Sequence, residues 1–221
     1  MGHLLKQTTP SNLTHWTPRS IEAILRAAPG GVQPATGFVS PRLTGAPYPG
    51  EAWAPAAVFT PASASSGTMQ RAEGLIERLF VGHDARTLYV RLDLRGRLTD
   101  YDVAIYLGCA HVTPINQRPR DRYPDPDLAP THLTLCCQIS LAHDQPAPFL
   151  YRAAGQEAWA AVGPLAAARG ERVLEVAVPL DALGLRLGAE PCVLATVAQG
   201  GIIVAQVPER EMAVLPLTPF R

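Results

Sequence analysis

In the run RTLYVRLDL, residues 86–94, Tyr89, Arg91 and Asp93 alternate with Leu88, Val90, Leu92 and Leu94. Residues at a spacing of two share one face of an extended strand. A phenol ring, a guanidinium and a carboxylate on one face are equipment for holding a sugar, because a ring stacks on the C–H face of a pyranose and the ionic groups bond its hydroxyls. Tyr106 in YDVAIYLG, residues 101–108, points away from the apolar side of its strand in the same way, and Trp53 in APYPGEAWAP adds an indole. Tyr48, Tyr123 and Trp159 are further rings at turns or strand ends. Tyr89 and Tyr106 must face either solvent or a second layer. On a solvated face, Arg91 and Asp93 would form an ion-pair ladder worth a few tenths of a kcal/mol each, roughly.

Catalytic constellations are missing from the sequence. No G-x-S-x-G elbow, P-loop, G-x-G-x-x-G or H-E-x-x-H occurs, and the six histidines include no i, i+4 pair that would set two imidazoles on one helix face. Glu73 with Glu77, Asp100 with Asp102, and Asp125 with Asp127 are paired acids, but glycoside hydrolysis needs carboxylates fixed across a cleft, which sequence proximity does not supply. Asp125 and Asp127 lack the glycine and the distal glutamate of a helix–loop–helix calcium site. The sequence therefore names no catalytic residue, no metal ligand and no cofactor. Asp84 in GHDARTL reads as a turn residue that bonds its own backbone two residues on.

Short apolar runs punctuated by Pro and Gly position these side chains. GLIERLFVGHD enters RTLYVRLDL through a turn at Gly82 to Arg86. YDVAIYLG turns Val103, Ile105 and Leu107 inward, and HLTLCCQISL does so with Leu133, Leu135, Cys137, Ile139 and Leu141. RVLEVAVPL, CVLATVAQ and GIIVAQV add three strands, the last two joined at Gly200-Gly201, a dipeptide suited to a hairpin turn. Cys136 and Cys137, as strand neighbours, are expected on opposite faces and reduced, with no C-x-x-C pair among the four cysteines. The Pro-rich stretch 113–130 cannot be a central strand and reads as a long loop. One helix is expected, in TPRSIEAILRAAPGG, ended by Pro29-Gly30-Gly31. The fold class that follows is an all-β antiparallel sandwich of about ten strands, residues 35–221, behind a short helical or irregular N-terminal extension, residues 1–34.

Nineteen Lys and Arg balance nineteen Asp and Glu, so no excess positive charge exists to hold nucleic acid or an anionic membrane surface. With no long apolar run and no signal-peptide pattern at the start, the chain is expected to be soluble and cytoplasmic.

Three motifs in order carry a resemblance. Gly67 and Met69 precede Ile76, Leu79, Gly82 and Asp84; Leu88, Tyr89, Arg91 and Asp93 follow; Glu175, Pro179, Leu183 and Gly184 come later, and VPEREMAVLPL closes the chain's last strand region. This pattern resembles the C-terminal sandwich domain of some glycoside hydrolase family 57 proteins, related to glucodextranase-like DOMON domains and, more distantly, to family 9 carbohydrate-binding modules. It spans about residues 36 to 217. An upstream aromatic and acidic element of that family survives here only as GEAWAPA around Glu51 and Trp53. The catalytic barrel that usually precedes the domain is absent from this sequence, so the resemblance implies no hydrolase activity. It implies a non-catalytic accessory domain that binds or presents α-glucan, with a glycoside hydrolase as partner. Tyr89, Tyr106 and Trp53 are then the stacking rings, and Arg91 and Asp93 the hydroxyl partners. Haem, bound in some relatives, would need Met69 and His83 or His111 in one pocket, and the closer likeness to the glucan branch argues against it. The rival readings are a ligand-free domain that packs on a partner protein through its sheet face or Pro-rich loop, and an enzyme whose site leaves no sequence signature.

Overall fold

A computed structural model of the chain describes residues 31–61, 74–109, 115–117, 119–124, 133–155, 158–208 and 212–219. The helix expected within residues 17–31, together with Gly67, Met69, His111, Asp125 and Asp127, falls outside the described residues but for Gly31.

Thirteen strands are described: β1 (Val32–Gln33), β2 (Ala57–Phe59), β3 (Ile76–His83), β4 (Thr87–Leu94), β5 (Asp102–Gly108), β6 (Cys137–Leu141), β7 (Phe149–Ala153), β8 (Trp159–Pro164), β9 (Ala166–Arg169), β10 (Val173–Pro179), β11 (Cys192–Gln199), β12 (Ile202–Val207) and β13 (Ala213–Val214). They form two antiparallel sheets. The first has the order β1-β2-β3-β4-β10-β9; the second has the order β12-β11-β5-β6-β7-β8, with β13 added to β11. Helical structure among the described residues is limited to two 3₁₀ turns, Glu51–Trp53 and Leu98–Asp100. The chain is thus a β-sandwich, and two residues of the expected extension, Val32 and Gln33, already pair with Phe59 and Val58.

Alternation builds the core. Leu88, Val90, Leu92 and Leu94 of β4 and Val176 and Val178 of β10 meet Val103, Ile105 and Leu107 of β5 and Val193, Ala195 and Val197 of β11 in one buried cluster. The β3–β4 turn is fixed as Asp84 suggested: its Oδ1 accepts from Arg86 N at 2.7 Å and Thr87 N at 2.8 Å. Gly200 and Gly201 take positive φ, 59° and 75°, in the β11–β12 hairpin, the backbone that a two-residue turn demands.

One strand departs from its expected faces. Cys137 pairs with Leu107, and Cys136 N–H also donates to Leu107 O at 2.8 Å. Two residues therefore oppose one, as in a bulge. Cys136 joins Cys137 in the main core rather than facing away from it, and Leu133 and Leu135 are displaced to the outer face, against Tyr106 and Leu194.

Each sheet is covered on its outer side as well. The segment 36–56, a strap with prolines at 41, 47, 49 and 55, crosses the first sheet and packs Val39, Trp53 and Ala56 on Phe80. Part of the Pro-rich stretch crosses the second sheet, touching it through bridges of Asn116 to Leu135 and Arg122 to Ile202.

Candidate functional site

The strap decides what the outward residues of β4 can do. Trp53, Tyr106, Arg91 and Asp93 are each at most 3% exposed. Trp53 and Tyr106 therefore offer no face to a sugar, and the expectation that they stack on one is corrected. Tyr106 lies under the Pro-rich segment, where its hydroxyl accepts from Arg120 N at 3.1 Å and its ring stands 6.1 Å from that of Trp159. Burial, with Asp121 nearby, holds its hydroxyl far above the usual phenol pKa. Tyr89 is half-buried on the other sheet and donates to Asp84 Oδ2 at 2.9 Å, so Tyr89 and Tyr106 cannot serve one platform. Burial and the Asp84 carboxylate both push the Tyr89 hydroxyl pKa up.

Arg91, Asp93 and Trp53 do converge, on a residue that the motifs named but whose role they did not give, Glu175. Arg91 and Glu175 are cross-strand partners on β4 and β10, and Arg78 and Asp93 are partners on β3 and β4. Arg91 Nη1 donates to Glu175 Oε1 at 2.7 Å, Arg91 Nε lies 2.7 Å from Asp93 Oδ1, and Arg78 Nη2 lies 3.4 Å from Asp93 Oδ2. Charges alternate along this chain of four side chains and sum to zero, which is the condition for keeping them out of water. Phe80 sits beneath the two guanidiniums, 5.5 Å from Arg78 Cζ and 5.9 Å from Arg91 Cζ.

Glu175 also holds the strap. Its Oε2 accepts from Thr44 N at 2.7 Å and Gly45 N at 2.9 Å, and its Oε1 accepts from Trp53 Nε1 at 3.2 Å. Arg91 Nη2 adds a bond to Pro47 O at 3.2 Å. Gly45 sits at φ +66°, and a Cβ there would stand 2.6 Å from the Arg169 carbonyl carbon, so the strap reaches the β9–β10 turn only with a glycine at this point.

Where the strap turns away, a cleft of about 450 Å³ opens, lined by Gly45, Pro47, Tyr48, Glu77, Arg78, Asp93, Leu94 and the turn Glu171–Val173. Tyr48, 81% exposed, stands at its rim. Asp93 is in its wall. Neither Asp93 oxygen accepts a well-aligned hydrogen bond, because the Arg91 N–H is off the line to it. Burial pushes the Asp93 carboxyl pKa up, with Arg91 and Arg78 pulling against that shift. The cleft sets one exposed ring beside residues of both charges, Glu77, Arg78, Glu171 and Arg172, while the two Asp93 oxygens are themselves buried. Among the described residues no group of three or more His, Cys, Asp or Glu is placed to hold a metal ion, and no helix is long and apolar enough to cross a membrane. His83 lies buried under the ring of Phe38.

The sequence names Arg91 and Asp93 as hydroxyl partners of a sugar; Arg91 is wholly buried with its guanidinium turned to Glu175, Pro47 and Asp93, and Asp93 belongs to the cleft lining with its oxygens buried. Sequence reasoning weighed Tyr48 only as one ring among several, although the flanking Pro47 and Pro49 keep it out of a central strand. No family model matches the chain, and no curated protein matches it either.

Proposed function

We propose that this sandwich is a non-catalytic carbohydrate-binding domain whose ligand, an α-glucan by its resemblance to the family 57 accessory domains, lies in the cleft between Tyr48 and Asp93. The observation that carries the reading is Tyr48, 81% exposed at the rim of a cleft whose lining includes Glu77, Arg78, Asp93 and Glu171. Tyr48 supplies an exposed stacking face, which the buried Trp53 and Tyr106 do not. A cleft of this volume is in the range of small-ligand sites, and its mixed charges suit a neutral, many-hydroxyl ligand. A glycoside hydrolase is the partner in whose service such binding makes sense.

Affinity electrophoresis in glycogen or starch gels tests the reading. Wild type is expected to be retarded, Tyr48→Ala to run unretarded, and Tyr89→Ala to behave as wild type. Unretarded wild type removes the glucan reading. It would favour a ligand-free interaction domain, for which the support is β8, an edge strand with no charged residue and with Val162 52% exposed.

A further inference from the structure

We infer that Glu175, which does not line the cleft, sets its affinity as a positioning residue by fastening the strap that carries Tyr48. The inference rests on the carbohydrate reading for its ligand and on hydrogen-bond geometry for its mechanism.

The capacity of the carboxylate is the first step. An ionised carboxylate has about four acceptor sites, and Glu175 fills that number with Thr44 N, Gly45 N, Trp53 Nε1 and Arg91 Nη1. It is buried and has nothing left to offer a ligand. Asp93, two places along the same ladder of charges, belongs to the cleft lining, and its partners are Arg91 and Arg78 rather than the strap. Of the two carboxylates in the ladder, Glu175 is the one that fastens the strap.

The strap itself is the second step. It has no strand of its own between Val39 and the 3₁₀ turn at Glu51–Trp53. Val39 N donates to His83 O at 2.9 Å at one end, and Thr36 N donates to Pro55 O across its base. Between Arg42 and Pro49, the described hydrogen bonds from strap to sheet run to Glu175 and Arg91, while Ala46 N bonds locally to Thr44 Oγ1. Tyr48 lies three residues from Gly45 and one from Pro47, both of which are bound to that pair. With the Glu175 bonds gone, the segment that carries the ring would be tied to the sheet at Pro47 O alone. The ring would then have to be ordered when ligand binds, and the cost appears as lost affinity.

The test joins hydrogen exchange to binding. In Glu175→Gln the side chain faces Thr44 N–H and Gly45 N–H with at best one acceptor oxygen. Exchange of those two amides is expected to quicken by about tenfold or more, with Val90 and Val176 amides in the β4–β10 ladder unchanged, and glycogen retardation to fall toward that of Tyr48→Ala. Unchanged exchange at Thr44 and Gly45 overturns the inference, and so does quickened exchange with full retardation. Trp53→Phe, which removes only the indole donor, gives a milder second case with the same expected direction. In wild type, Thr44 and Gly45 amides that exchange as fast as in an unfolded peptide would overturn the inference without any variant. Wild type that is not retarded at all sinks the carbohydrate reading instead, and the exchange result still decides whether Glu175 fastens the strap.

Discussion

Arg91 stands between two carboxylates where water does not reach, so removing it strands both. Asp93 would keep only Arg78 at 3.4 Å, and Glu175 would keep neutral donors alone. Breaking one partner out of a buried ion cluster costs about 3–5 kcal/mol. Arg91→Leu is therefore expected to lower unfolding free energy by about that much in urea titrations, and a loss under about 1 kcal/mol would mean that the cluster is hydrated. Asp93 predicts a pH dependence of definite sign. Its folded pKa is raised by burial, so between the ordinary Asp value of about 3.9 and the folded value the native state binds more protons than the unfolded one. Stability from this group therefore falls as pH rises through that window. Asp93→Asn should flatten this part of the curve of stability against pH, and an unaltered slope would assign it to other groups. The period of β4 put Tyr89, Arg91 and Asp93 on one face, as found. It could not distinguish solvent from a second layer, because a covered polar face and a wet one have the same alternation. Nor could it bring in Glu175, which is 84 residues from Arg91 in sequence and meets it only through the β4–β10 register.

At the scale of elements, the strap explains why polar residues on an outer face became core-like. Its hold on β3 depends on Gly82, where an added Cβ would collide with the Val39 side chain. Overfilling such a contact costs about 1–3 kcal/mol. Gly82→Ala is expected to destabilise by that amount, and Val39→Ala in the same chain to recover part of it; strictly additive losses would show that the two residues do not press on each other. The strands with clean alternation, β3, β4, β5, β10, β11 and β12, were legible in sequence. The Ala-rich β8 and β9 were not, since WAAVGP and AAAR have no period and between them one branched side chain, Val162, and owe their form to β7 and β10 beside them. The two-residue β1 and β13 are too short for any period. The faces of Leu133 and Leu135 were misjudged because one bulge residue at Cys136 reverses the sides of everything before it.

For the molecule as a whole, the question is where the cooperative unit begins. The sequence placed the boundary at residue 35, where alternating strands start. Pairing places it slightly earlier: Val32 and Gln33 form the edge of the first sheet, and Gly31 O accepts from Thr60 N at 2.9 Å and Thr60 Oγ1 at 3.0 Å. Val32 is only half-buried against the core, so its burial contributes on the order of 1 kcal/mol. In a chain of this size 1 kcal/mol corresponds to about 2–4 °C in Tm. A protein beginning at Gly31 after an initiator methionine is thus expected to melt in one cooperative step close to the full chain, and one beginning at Ala35 to melt a few degrees lower while staying folded. Calorimetry on the three proteins separates the cases. An unfolded or non-cooperative protein starting at Gly31 would show that residues 1–30 complete the core, and identical melting of the two shortened proteins would show that β1 adds nothing to the sheet it borders.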